Sequence, residues 1–128
     1  MEYRDGFFKG VRGIQTYYQC WIPEGDLKAA LIVVHGLAEH SGRYMNLVNH
    51  FVPLGYAVHA LDHIGHGKSG GPRVYVDRFE DFTETVKRFL DQVRTRQPDP
   101  PLFLVGHSMG VLIGAVADGL GGPVGAIG

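Results

Sequence analysis

Three short apolar runs constrain this chain more than any other feature: Ala29 to Val34 (AALIVV), Tyr56 to Leu61 (YAVHAL) and Leu102 to Val105 (LFLV). Ala29 to Val34 is continuously apolar and β-branched, the pattern of a strand covered on both faces; Tyr56 to Leu61 reads as a second short strand and Leu102 to Val105 as a third of buried type. Between the first and second runs Tyr44, Leu47, Val48 and Phe51 recur at helical spacing, with Ser41 as the expected N-cap and Pro53-Leu54-Gly55 as the stop. Between the second and third, Phe79, Phe82, Val86, Phe89 and Val93 form one stripe. Asp77 is placed to cap that helix, Glu80 to complete a capping-box pair, and Pro98, Pro100 and Pro101 to end it near Gln97. The order strand, helix, strand, helix, strand predicts the α/β class: a mostly parallel sheet with right-handed crossovers and flanking helices. Ahead of it, two β-type runs split by Gly10 to Gly13 and closed by Pro23-Glu24-Gly25 predict a hairpin.

At 128 residues the chain has the size of one domain. Hydrophobic residues at 45% and charged ones at 20% match a soluble globular protein, and a formal charge of -1 supplies no attraction for nucleic acid. The opening MEYRDGFFKG has no apolar leader region, and no apolar run approaches the ~20 residues of a membrane span. The expected location is cytoplasmic. The single cysteine, Cys20, lies in the strand-like YYQCWI with no histidine beside it, and is expected to be structural.

The third run leads into Gly106-His107-Ser108-Met109-Gly110, which fits G-x-S-x-G after a buried-type strand and before an apolar stretch. In a nucleophile elbow the sharp strand-to-helix turn strains the serine backbone and crowds its neighbours, so both flanking positions require glycine. The turn lifts the hydroxyl clear of the sheet and aims the first amides of the next helix at the same point, ready to hold an oxyanion. On these five residues alone, an ordinary glycine turn with Ser108 as an N-cap is an equal reading.

The rest of the chain weighs on that choice. The stretch His35-Gly36-Leu37-Ala38-Glu39-His40-Ser41-Gly42-Arg43-Tyr44, followed by Leu61-Asp62-His63-Ile64-Gly65-His66-Gly67-Lys68-Ser69-Gly70 and then the Ser108 motif, closely resembles the monoacylglycerol lipase branch of the α/β-hydrolase fold. That branch also holds lysophospholipase-like and serine-aminopeptidase-like relatives. The resemblance runs from about Phe7 to Met109, and departs from the family at Ala38, often glycine there, and at Val111, usually a small residue. It implies that Ser108 is the nucleophile of a serine ester hydrolase, that the amides of Leu37 and Met109 form the oxyanion hole, and that His35, Gly36, Gly106, His107 and Gly110 support them. His35 is then a brace beneath the oxyanion loop. The implied substrate is a monoacylglycerol or similar lipid ester, with no cofactor, and with membrane contact made peripherally through a lid.

Two other patterns fail. Gly65-His66-Gly67-Lys68-Ser69-Gly70 matches G-x-G-x-x-G, but no helix is expected to open at its glycines. Gly67-Lys68-Ser69 imitates the end of a P-loop, yet Asp62 stands where the first glycine belongs. His63 with His66, and His35 with His40, are close in sequence, but no pair falls on a helix face with a carboxylate, so no metal site is expected.

In α/β-hydrolases the chain order is serine, acid, histidine. Here every histidine precedes Ser108, and Asp118 is the only carboxylate after it. The glycine-dense GLGGPVGAIG ending does not continue the family's pattern. The expectation is a partial α/β-hydrolase domain over 1–128, truncated after the nucleophile elbow or out of frame from about residue 115, with lid, acid and histidine beyond Gly128. By itself such a fragment is expected to be catalytically inactive. Its LFLV strand would stand at an exposed sheet edge, inviting self-association.

Overall fold

The computed structural model describes residues 1–36, 40–73, 78–106 and 125–127. The predicted hairpin forms from β1 (Glu2–Lys9) and β2 (Gln15–Ile22), antiparallel from Glu2↔Ile22 to Lys9↔Gln15. Its turn passes through a 3-10 segment, Val11–Gly13, where Arg12 adopts φ 53°, the one positive φ outside glycine among the described residues. A left-handed backbone costs an L-residue roughly 1–2 kcal/mol. Arg12 is held there by a bidentate pair with Asp81, Nη1 to Oδ1 at 3.0 Å and Nη2 to Oδ2 at 2.8 Å.

The continuous apolar runs become β3 (Ala29–Val34), β4 (Tyr56–Leu61) and β5 (Leu102–Gly106). All six residues of β3 are buried, as two covered faces require. The sheet order is β1-β2-β4-β3-β5-β6, with β2 antiparallel to β4 and the β4, β3, β5 and β6 neighbours parallel. β6 (Gly125–Ile127) corrects one expectation. It pairs with β5 through Phe103↔Gly125, Leu104↔Ala126 and Val105↔Ile127, so the LFLV strand is not the edge of the sheet. Three residues are too few to show periodicity in sequence; what makes them a strand is the open row of N–H and C=O groups on β5.

α1 (Met45–Phe51) follows β3 after a 3-10 turn at Ser41–Tyr44 and runs into another at Val52–Leu54, stopping at Gly55 with φ 98°. Ser41 is not the cap. His40 holds that position, its Nδ1 accepting from the Gly42 amide, while Ser41 Oγ accepts from Gln19 Nε2 at 2.7 Å. α2 (Phe79–Arg96) ends as the prolines predict, with Gln97 as C-cap. Arg78 stands at its N-cap without a side-chain cap bond, and Asp77 lies outside the described residues. Glu80 and Asp81 suit the first turn through the helix dipole, but Asp81 is committed to Arg12.

The two helices cover opposite faces. Phe82, Val86, Phe89, Leu90 and Val93 of α2 pack on Ala30, Ile32 and Val34, each large side chain contributing roughly 1.5–3 kcal/mol of burial. Val48 of α1 and Val52 of the 3-10 turn after it pack with Trp21 on Leu31, Val33, Val58 and Ala60. Cys20 is buried in β2, and burial pushes its thiol up from its ordinary value.

Candidate active site

Parallel pairing of β3 with β5 brings together the ends of the two strands that lead into the motifs. Val34 is the register partner of Gly106, so His35 and Gly36 leave β3 beside the point where β5 ends. The carboxyl ends of strands are where α/β sheets bind ligands. Of the site residues expected from sequence, His35, Gly36 and Gly106 are described and lie at these strand ends. Leu37, His107, Ser108, Met109 and Gly110 lie outside the described residues.

His35 is wholly buried and braces the loop through both ring nitrogens. Its Nε2 accepts from the His63 amide at 2.9 Å, which places its proton on Nδ1, 2.6 Å from the Gly36 carbonyl. His63 returns a bond from Nε2 to the His35 carbonyl at 2.9 Å. The ring centroids lie 4.1 Å apart, and the His66 ring lies tilted, 5.3 Å from that of His35, with Nδ1 donating to the Ile64 carbonyl at 3.1 Å. Burial, then the neighbouring imidazole of His35, pushes His63 well below its ordinary pKa, so it stays neutral. His35 commits both ring nitrogens to backbone, whereas His63 and His66 each hold one ring nitrogen to a backbone carbonyl and keep the other, His63 Nδ1 and His66 Nε2, buried without a hydrogen-bond partner among the described residues.

The structure groups the rings of His35, His63 and His66, while His40 is exposed. The signal was available, because residues following two adjacent parallel strands at the same end must meet. Among the described residues no group of three or more His, Cys, Asp or Glu is arranged to hold a metal ion.

Asp62, which sequence reasoning left without a role, ties the two loops together. Its Oδ1 accepts from the Ser41 amide at 2.6 Å and Oδ2 from the Lys68 amide at 2.9 Å. Ser69 Oγ donates to the Asp62 carbonyl at 2.6 Å and accepts from the Tyr17 amide at 2.8 Å, fastening the loop to β2. Gly67, at φ 51°, has Asp62 Oδ2 2.2 Å from where a Cβ would stand. A phosphate-binding loop must keep its amides free for the anion. Here the Gly65 amide bonds Gly70, His66 bonds His63, Ser69 bonds His66 and Gly70 bonds Gln15, so the dinucleotide and P-loop patterns are coincidental.

Known proteins agree with this architecture. The family described as serine aminopeptidase, S33 (Hydrolase_4), matches residues 25–118. A monoacylglycerol lipase of Mycolicibacterium smegmatis is 39% identical over 103 residues, covering 80% of this chain and 37% of that protein. The monoglyceride lipase of Homo sapiens is 42% identical over 105 residues, covering 82% of this chain and 34% of that protein. The chain therefore spans about a third of the length of these curated relatives. Among solved structures, a thermostable carboxyl esterase from Bacillus coagulans superposes with a TM-score of 0.80 at 28% identity, over 91% of this chain and 40% of its own. A soluble variant of monoglyceride lipase from Saccharomyces cerevisiae, at 21% identity and a TM-score of 0.74 over 86% of this chain and 36% of its own, shares the fold. Matched over most of its length and carrying that sheet order, the chain belongs to the serine aminopeptidase S33 family and has the α/β-hydrolase fold.

Proposed function

We propose that these residues form the nucleophile-bearing part of a serine ester hydrolase that cleaves monoacylglycerols or related lipid esters through an acyl-enzyme on Ser108. One observation carries the reading: by the Val34↔Gly106 register, the described residues from which the two motifs continue, Gly36 and Gly106, stand at the carboxyl ends of adjacent parallel strands. An oxyanion hole needs one amide from the residue after the nucleophile and one from the loop after an earlier strand. Met109 and Leu37 occupy those positions in sequence.

In this mechanism Ser108 Oγ attacks the ester carbonyl as a base removes its proton, and the carbonyl oxygen becomes an oxyanion held by the two amides. Collapse breaks the bond to the alcohol, which leaves with a proton from the same base. Water then attacks the acyl-enzyme, releasing the fatty acid and restoring the serine. In the chain order of α/β-hydrolases the acid and the histidine base follow the nucleophile serine; His35, His63 and His66 precede it and are buried. An oxyanion hole and binding alone leave about 10³–10⁴ over water, whereas losing the triad costs about 10⁶ in kcat. Tested alone, the 128-residue chain is expected to hydrolyse esters poorly.

The relatives favour a glycerol ester, while the S33 description favours an aminoacyl substrate. A panel of monoacylglycerol, lysophospholipid and aminoacyl anilide, given to a full-length protein containing this sequence, separates them. Hydrolysis of the monoacylglycerol, lost on Ser108→Ala, supports the proposal; preference for the anilide overturns its substrate class.

A further inference from the structure

The loop after β4 divides its backbone groups between two sets of partners. The amides of Gly65, His66, Lys68, Ser69 and Gly70 bond Gly70, His63, Asp62, His66 and Gln15, which uses the carbonyls of His66 and Gly70 as well. The carbonyls of Gly67, Ser69 and Gly71, at alternate positions, converge instead on one side chain. Arg73 Nη1 donates to the Gly67 carbonyl at 3.0 Å, and Nη2 donates to the carbonyl of Ser69 and, at 3.2 Å, to that of Gly71. Backbone with left-handed φ at Gly67 (51°) and Gly71 (95°) bends the chain around this point.

Three carbonyl oxygens turned to one point make a seat for a cation, and here the cation belongs to the chain itself. A guanidinium suits the seat because its planar donors meet several acceptors at once. Bonds from a charged donor are also roughly twice as strong as neutral ones. Arg73 is exposed, so water can take its place at these carbonyls when it is removed. Its grip therefore governs the local shape of the loop rather than the folding of the sheet.

That shape is what the strand ends rest on. His66, just before Gly67, sets its ring beside those of His35 and Phe82. Asp62, bonded to the Lys68 amide, also holds the Ser41 amide, while His63 and His35 exchange two hydrogen bonds. His35 in turn bonds the Gly36 carbonyl at 2.6 Å, and the chain continues from there to Leu37.

We propose that Arg73 is a positioning residue: by clamping the carbonyls of Gly67, Ser69 and Gly71 it fixes the loop after β4, so that His63 and His66 keep His35 and Gly36 in place beside Gly106. Its bearing on catalysis rests on the ester hydrolase reading, in which Arg73 steadies the stretch leading to the Leu37 amide without touching substrate. Losing one oxyanion donor costs about 10²–10³ in kcat, and a donor held loosely costs part of that. An interaction made only in the transition state lowers kcat when lost and leaves KM as it was.

The test compares Arg73→Met, which keeps length and loses the donors, with Arg73→Lys, which keeps a cation, in a full-length protein containing this sequence. Amide exchange is read residue by residue by NMR, unfolding by circular dichroism, and turnover on a monoacylglycerol. In Arg73→Met the amides of His63, Gly65 and Gly70 are expected to exchange about tenfold faster or more, while those of β3 and α2 and the melting temperature hold. Turnover is expected to fall about tenfold or more in kcat with KM within about twofold, and Arg73→Lys to recover part of both changes. Unchanged exchange at His63 overturns the proposal. So does faster exchange throughout β3 and α2 with a lower melting temperature, which makes Arg73 a general stabiliser. Faster loop exchange at unchanged kcat, or a lysine variant as impaired as the methionine one, also overturns it. If the unaltered protein leaves the ester intact, the ester hydrolase reading fails, and exchange at His63 still decides whether Arg73 holds the loop. Should Arg73→Met fail to fold, the unaltered protein decides: a clamped guanidinium gives separate Nη proton signals, and a single averaged signal overturns the proposal.

Discussion

His35 and His63 exchange two hydrogen bonds, the His63 amide to His35 Nε2 and His63 Nε2 to the His35 carbonyl, both at 2.9 Å. The loop after β3 and the loop after β4 are thereby locked to one another at the end of the sheet where the nucleophile motif begins. Replacing His35 with Phe preserves a ring of similar volume but leaves the His63 amide buried and unpaired. A buried donor without a partner costs about 1–3 kcal/mol. Urea denaturation of His35→Phe should show a loss in that range, and an unchanged midpoint would contradict the bracing role.

Arg12 offers a sharper test because two effects oppose each other there. Arg12→Ala removes the bidentate partner of Asp81, leaving Arg78 at 3.5 Å as its remaining cation; with the Arg12 side chain half exposed to screening water, the cost should be about 1–2 kcal/mol. Arg12→Gly loses the same ion pair but suits the positive φ. Glycine should therefore be the milder substitution by roughly 0.5–1 kcal/mol. Alanine proving equal or milder would show that the backbone at Arg12 is not strained.

Gly67→Ala should be among the most damaging single-methyl changes in the chain. Its Cβ would meet the Asp62 carboxylate at 2.2 Å with φ at 51°, so Asp62 must move away from the Ser41 and Lys68 amides. A loss of at least 2 kcal/mol, roughly, is expected from strain and unpaired groups together. Thermal denaturation measures it, and a shift within error would remove Asp62 as the tie between the loops.

Stability should fall in mild acid. His59 is buried, donates from Nε2 to Gln97 Oε1 at 2.8 Å, and burial pushes its pKa from 6.5 down to about 4. The unfolded chain thus takes up the proton first as pH drops below the ordinary value. The stability present above pH 6.5 is lost progressively down to about pH 4, by about 3 kcal/mol. His63 acts in the same direction. Asp81, held below its ordinary 3.8 first by hydrogen bonding to Arg12, extends the loss to still lower pH. Urea midpoints at pH 7 and pH 5 should differ, the second being lower; equal midpoints would contradict the buried neutral histidines.

Much of the fold is legible in the sequence because burial on both faces leaves an unbroken apolar signature. AALIVV and YAVHAL coincide with β3 and β4, and the prolines after Arg96 end α2. What local pattern missed depends on partners far away in sequence. Ser41 reads as a cap, but its hydroxyl is taken by Gln19 and its amide by Asp62. β6 exists because β5 offers an unpaired ladder, a fact no three-residue window contains. Of the candidate site, His35 and Gly36 leave β3 beside Gly106 of β5, while the roles given to these residues, to Ser108 and to both oxyanion donors rest on sequence and family.

The most direct test of the central claim is the intact mass and peptide map of the protein purified from its natural source, before and after incubation with a fluorophosphonate. The account predicts a single adduct, carried on Ser108 and absent from a Ser108→Ala variant. No adduct, or an adduct on another residue, would contradict Ser108 as the nucleophile.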